Sequence, residues 1–228
     1  MSLIDIDFEW WRDAKGYRLV APEPARPAKP EMGPIYGFEV GPTLLERVGK
    51  PQRVLPNGGK RLPYQPLKRF HELYKSFASV RTPEDVLRFV EKFGLLTAHG
   101  LQPDLGDDVP FVLEHAARFR DWLDANQRRR QELAAWIGKE GKNFGSLDAE
   151  LTADASGALR VRVMPRTLLR ALWIQLAYTL SGGIKIGTCL QCGDWFEAGP
   201  GARPPRRLDA KFCSDEHQRL YNSRKRSR

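Results

Sequence analysis

The sequence predicts an α+β protein in which a mainly helical N-terminal domain with a small β-hairpin precedes a compact cysteine-bearing module. Three observations carry this expectation. Helix start and stop signals recur through 82–94 and 165–183, the hydrophobic period switches to two between 147 and 164, and all three cysteines lie from position 189 onward.

With 228 residues, 41% of them hydrophobic, the chain is long enough for one sizeable core and a small appended unit. No continuous apolar stretch of about 18 residues is present, and no basic, apolar and small-residue series of the signal-peptide kind stands at the start. A cytoplasmic protein with no membrane partner is expected. The nearest candidate span, 168–180, is too short and carries Arg170 and Gln175, which suits a buried helix.

Along the chain, residues 1–35 read as an N-terminal arm and Pro-rich linker. Trp10 and Trp11 would anchor the arm to the core, and the prolines at 22, 24, 27 and 30 deny it a helix or a central strand. Residues 36–184 form the mainly helical domain. Within it, the Asn57-Gly58 turn signal between short β-like runs predicts a hairpin over 53–62. Thr82, Pro83, Glu84, Asp85 and Gly94 then supply cap, first turn and stop for a helix whose apolar face is Val86, Phe89, Val90 and Phe93. A longer helix starts near Asp108 or Pro110 and runs toward Gly138, with a break around 125–130. Alternation at Leu151, Ala153, Leu159, Val161 and Val163 predicts the β-hairpin. From Pro165 an apolar helix follows, ended by Ser181-Gly182-Gly183.

The segment 185–228 holds the chemistry. Cys189 and Cys192 are separated by two residues and followed by Gly193, the spacing that lets two sulfurs reach one ion on a tight turn. Strands are expected at 194–197 and 210–212. Ser214 caps a helix with Asp215 and Glu216 in its first turn, and Cys213 and His217, four apart, meet on one face. This order is that of a treble-clef zinc finger, with Cys189, Cys192, Cys213 and His217 as ligands of one Zn2+. Four protein ligands close the shell, so the expected metal is structural and the chain is expected not to be an enzyme.

Charge concentrates in the same place. From Arg203 to Arg228, nine Lys and Arg stand against three Asp and Glu, a balance of +6 that leaves +3 of the total +9 for the rest. Three thiolates on a divalent zinc lower the total by about one unit. At about 100° per residue, Arg219, Asn222 and Arg226 share the outer face of the last helix, with Lys225 nearby, while His217, Leu220 and Tyr221 face inward toward Phe212 and Trp195. Candidate nucleic-acid contacts are Arg206, Arg207, Lys211, Arg219, Asn222, Arg224, Lys225 and Arg226. A solvated helix face and a basic tail that merely aids solubility are the competing readings.

Several phrases resemble a known family: Pro165-Arg166-Thr167-Leu168-Leu169, Leu172-Trp173-Ile174-Gln175-Leu176, the knuckle at Cys189 and Cys192, Trp195-Phe196, Arg206-Arg207, Phe212-Cys213-Ser214, and Phe89-Val90-Glu91-Lys92-Phe93-Gly94. Together they resemble the bacterial CGNR-type zinc-finger proteins, in which an ABATE domain precedes a C-terminal finger. The resemblance covers the C-terminal part best and the middle little. The Cys-Gly-Asn-Arg phrase itself is degenerate, with His217 in place of its cysteine after a shorter gap. The resemblance implies a transcription regulator with DNA as partner, whose N-terminal domain senses a small-molecule effector or forms a homodimer.

Two other classes compete with this leading expectation: a zinc-finger adaptor between proteins, and a treble-clef nuclease, against which the lack of an adjacent histidine pair counts. His71, His99 and His115 have no partner at ligand spacing and read as surface or core histidines. Asp104, Asp107 and Asp108 read as a polar loop capping the next helix rather than a metal site.

Overall fold

The N-terminal segment is woven into the fold. A computed structural model describes residues 4–6, 8–24, 50–70, 72–97, 106–124, 132, 135, 147–153, 157, 159–181, 184–199, 201, 202 and 204–226. In it, β1 (Ile4–Ile6), β2 (Trp10–Asp13) and β3 (Tyr17–Val20) all find partners within the domain, where an arm was expected. Residues 25–49, including most of the proline-rich run, lie outside the described residues.

Strand β2 runs antiparallel to β5 (Arg61–Tyr64), and β3 runs antiparallel to β4 (Arg53–Pro56). The two pairs form one ribbon, bent where residues 14–16 face the longer stretch 57–60. The Asp13 carboxylate holds the bend, accepting from the backbone N–H of Lys15 at 2.7 Å and of Gly59 at 2.9 Å. Asn57 donates its Nδ2 to the Lys15 carbonyl at 3.0 Å. The Asn57-Gly58 signal therefore makes a bend and not the expected hairpin, because β4 and β5 pair with β3 and β2 instead of each other. The longer ribbon offers more ladder than an isolated two-stranded hairpin, which is marginal in water. Strand β6 (Asp107–Asp108) adds to β4, giving the order β3-β4-β6.

Two short helices follow, α1 (Pro66–Arg69) and α2 (Leu73–Ala78), then α3 (Pro83–Phe93). Helix α3 starts as its sequence dictates: Thr82 Oγ1 accepts from the Asp85 N–H at 3.2 Å, and Asp85 Oδ2 accepts from the Thr82 N–H at 3.0 Å, a reciprocal cap. Gly94 ends it at φ 81°, and a Cβ there would fall 2.3 Å from the Trp11 carbonyl oxygen. Trp10 lies on this joint and donates Nε1–H to the Leu95 carbonyl at 2.9 Å. The anchoring tryptophan and the helix-stop glycine are thus one contact.

Asp107 is fully buried and serves the segment before it. It accepts from the N–H of Leu96 at 2.5 Å, the N–H of Thr97 at 2.9 Å and Thr97 Oγ1 at 2.6 Å. Burial pushes its carboxyl up, and these three bonds oppose the rise. The expected cap on the following helix, α4 (Val109–Leu123), is not made by a side chain, and Asp108 pairs with Arg53 at 3.0 Å instead. Asp104, His71, His99 and the break expected at 125–130 lie outside the described residues.

Helices α2, α3, α4 and α5 (Leu168–Ser181) meet on one aromatic cluster. Phe119 sits 4.1 Å from Trp173 and 5.0 Å from Phe77, and Phe77 sits 5.3 Å from Phe89. Val86, Phe89, Val90 and Phe93 are buried as patterned, and α5 buries Leu168, Leu169, Ala171, Leu172, Trp173 and Leu176, which makes it the central helix. Arg120 of α4 donates to the carbonyls of Ala78 and Val80 at 2.9 and 2.6 Å, satisfying the end of α2. No helix among the described residues is long and apolar enough to cross a membrane.

The expected hairpin is present as β7 (Leu147–Ala153) and β8 (Leu159–Pro165), with β1 added in parallel on the far side of β8. Its alternating apolar residues do not enter the core: Leu151 is 67% exposed and Leu159 63%.

His115 of α4 is a core histidine, its ring 4.4 Å from that of Phe111. Burial lowers its pKa to about 4, while an unfolded chain titrates near 6.5. The unfolded state then binds the extra proton between these values, so stability is full above about pH 6.5 and falls as the pH drops toward 4. The loss is on the order of 3 kcal/mol. Chemical denaturation of wild type and His115→Leu across pH 4–7 should show this slope only in the wild type; parallel curves would contradict it.

Candidate metal centre and its basic surface

Chain leaving α5 forms β9 (Lys185–Thr188), turns through the cysteine knuckle, and returns as β10 (Trp195–Ala198) antiparallel to β9. Gly193, at φ 79°, lets the turn close: its N–H donates to the Cys189 carbonyl at 2.9 Å, and the Cys189 N–H donates to the Asp194 carbonyl at 2.9 Å. The strand expected at 210–212 is absent. That segment is held to the knuckle by a bond from the Leu190 N–H to the Lys211 carbonyl at 3.1 Å, while β10 takes β9 as its ladder partner. Helix α6 (Asp215–Arg226) then begins as expected, with Ser214 Oγ accepting from the His217 N–H at 3.1 Å and Asp215 and Glu216 in its first turn.

Knuckle and helix start bring Cys189, Cys192, Cys213 and His217 together, their ligand atoms all within 4.8 Å of one another. Cys213 Sγ lies 3.0 Å and Cys189 Sγ 3.7 Å from His217 Nδ1, and the sulfurs of Cys192 and Cys213 are 3.7 Å apart. A tetrahedral shell with metal–sulfur bonds of about 2.3 Å spaces its sulfurs about 3.8 Å apart, so the cluster has the dimensions to hold one metal ion. The donors themselves fit. Burial raises the Cys189 thiol, but backbone hydrogen bonds from Cys213, Cys192 and Gln191 outweigh it and bring the pKa to about 6. Cys192 is pushed up to about 12 by desolvation and by its Asp194, Cys189 and Cys213 neighbours, and desolvation also raises Cys213. Held this closely, the three sulfurs could all be thiolates only with a cation between them.

Strand β10 has two faces. Phe196 and Ala198 are buried with Cys189 in the finger's own small core, against Ala210, Phe212 and Cys213. Trp195 and Glu197 point to the helical domain. Trp195, expected against the last helix, packs on the main core and donates Nε1–H to Asp124 at 2.8 Å. Glu197, only 8% exposed, accepts from Tyr74 Oη at 2.5 Å, with Lys75 Nζ at 3.8 Å. Burial first, then the bond to Glu197, raises Tyr74 so far that its hydroxyl remains a donor at any working pH. Gln175 completes the seam by accepting from the Tyr74 N–H at 3.1 Å. No spacing in the sequence marks Tyr74 or Lys75 as partners of Glu197; only the alternation of 195–198 hints that one face is turned to a second body.

On α6, Tyr221 packs on Phe212 with ring centroids 5.2 Å apart, but Leu220, expected inward, is 43% exposed. The finger core is too small to cover both. Of the candidate nucleic-acid contacts, Arg219, Asn222, Arg224 and Lys225 are exposed on α6, which Arg226 closes. Lys211 is exposed on the loop. Arg206 is half-buried, its guanidinium 6.0 Å from the Phe196 ring, and Arg207 is paired with Asp209 at 3.1 Å. Among the described residues, Arg206, Lys211, Arg219, Arg224 and Lys225 have no carboxylate partner.

Tyr74→Phe leaves the buried Glu197 carboxylate short of its strongest donor. A hydrogen bond to a charged group contributes about 1.5–3 kcal/mol, and urea denaturation should report a loss of that size. A change within the scatter of surface substitutions, about 0.5 kcal/mol, would remove the seam from the account.

No protein-family model matches this chain, and no curated protein matches it. The likeness to CGNR-type proteins therefore rests on the sequence phrases alone.

Proposed function

We propose that this chain is a nucleic-acid-binding protein, in the first instance a bacterial DNA-binding transcription regulator. Its finger holds one structural Zn2+ in a treble clef and offers the cations of α6 and the 206–211 loop to phosphates. The observation that carries the reading is the set of cations that have no carboxylate partner among the described residues, Arg206, Lys211, Arg219, Arg224 and Lys225, gathered on the module that holds the four-donor cluster. Side chains spent in ion pairs would lose their attraction for a polyanion; these are unspent. Three sulfurs and one imidazole nitrogen are the donor set zinc prefers, and a knuckle followed by a helix carrying the second ligand pair is the treble-clef order. With four protein ligands the ion has no open position for water or substrate, so its role here is to hold the finger together.

The role of the helical domain follows from the same reading. It senses a small-molecule effector or pairs with a second copy, and the Glu197–Tyr74 seam transmits its state to the finger. A protein adaptor is the second reading, favoured by three exposed leucines on the finger, Leu190, Leu208 and Leu220. One stoichiometric protein partner, co-purified without nucleic acid, would select it.

Binding to duplex DNA should weaken steeply with salt, the logarithmic slope shrinking by about one for each phosphate contact removed. Arg219→Ala with Arg226→Ala should lower affinity and slope together while the zinc content stays at wild-type level. Affinity that ignores salt would sink the proposal.

A further inference from the structure

The finger carries a cleft of about 460 Å³ between the 205–212 loop and the first turns of α6. That volume lies within the range of small-ligand sites, about 300–1,000 Å³. Pro205, Ala210 and Phe212 give it an apolar wall, and Phe212 is braced from behind by Tyr221. Lys211, Asp215 and Gln218 line the same cleft, and among the described residues none of their side chains has a hydrogen-bond or ion-pair partner. Arg207, by contrast, is engaged by Asp209. A donor, an acceptor and an amide that is both therefore stand unspent beside an apolar surface.

Arg206 and Arg207 line the cleft as well, together with Asp209, so its charge is mixed, and a lone phosphate would leave the Asp215 carboxylate against like charge. What suits this lining is a flat ring with apolar faces and an edge that carries both donors and acceptors, which describes a nucleobase. In a duplex the faces of the ring are stacked on its neighbours and the Watson–Crick edge is paired, leaving only the groove edges open; face and Watson–Crick edge are offered together only by an unpaired nucleotide. We propose that the cleft takes one unpaired base, packed on the Phe212 wall and read by Lys211, Asp215 and Gln218, so that the finger prefers single-stranded nucleic acid to fully paired duplex. This inference rests on the nucleic-acid reading above and narrows its partner.

The test is fluorescence anisotropy with the full zinc-loaded chain at one salt concentration. The probes are one mixed sequence of about 15 nucleotides as single-stranded DNA, as single-stranded RNA and as paired DNA duplex. A single strand of at least one sugar type should bind about tenfold or more tighter than the duplex, the scale of one base packed on an aromatic wall. Asp215→Ala and Gln218→Ala should each weaken the single strand about fivefold or more, while Gln218→Ala leaves the duplex unchanged and Asp215→Ala does not weaken it. The Asp215 variant is decisive in sign: general attraction alone predicts tighter binding once a negative charge is removed, whereas base reading predicts weaker binding. Duplex binding equal to or tighter than single-strand binding, or variants that leave the ratio unmoved, overturns the cleft and spares the nucleic-acid reading. No binding to any probe overturns both.

Discussion

Everything in the C-terminal module depends on the convergence of Cys189, Cys192, Cys213 and His217. The finger's own core is three buried residues, Cys189, Phe196 and Ala198, with three more partly covered. A core that small cannot offset the conformational entropy of ordering the knuckle, the loop and a polar helix. Helix α6 in particular has little apolar surface to bury, since Leu220 is exposed and only Tyr221 is packed inward on Phe212. Cys213 and His217 bring its first turn against the knuckle, and a shared cation would be the physical means of holding four such donors together. The basic face of α6 is oriented only as well as that cross-link is made.

The same strand ties this module to the rest of the protein. β10 puts Phe196 and Ala198 into the finger core, and Trp195 and Glu197 into the helical domain. A buried carboxylate is costly unless it is bonded, and Tyr74 and Lys75 supply the bonds. The seam then continues through Gln175 and Thr179 of α5, the central helix. A rearrangement of α2 against α5 has a short covalent and hydrogen-bonded route to the knuckle, the route that the proposed coupling of the two parts would use.

Much of this was legible in the sequence where local chemistry decides the outcome. The cap at Thr82, the stop at Gly94, the apolar face of α3, the hairpin at 147–165 and the four-donor cluster all follow from residues close in the chain. What escaped was long-range pairing. The ribbon between residues 10–20 and 53–64 depends on a partner some forty positions away, and the Asn57-Gly58 signal cannot say whether it closes a hairpin or bends a longer ladder. The partner of β10 was misplaced for a similar reason: Lys185–Thr188 has weak strand character and is specified by the knuckle turn it flanks. Asp107 reads as a loop acid because nothing local reveals that it will be buried to satisfy the Leu96 and Thr97 amides.

If one metal ion holds the finger in place, the helical domain should stand without it. Amide hydrogen exchange on the full chain, before and after a chelator removes metal quantified at one zinc per chain, tests this directly. Protection should collapse across 189–226 while α3, α4 and α5 keep theirs. Less than one zinc per chain after a gentle preparation, or an unchanged exchange pattern in α6 once the metal is gone, would contradict it.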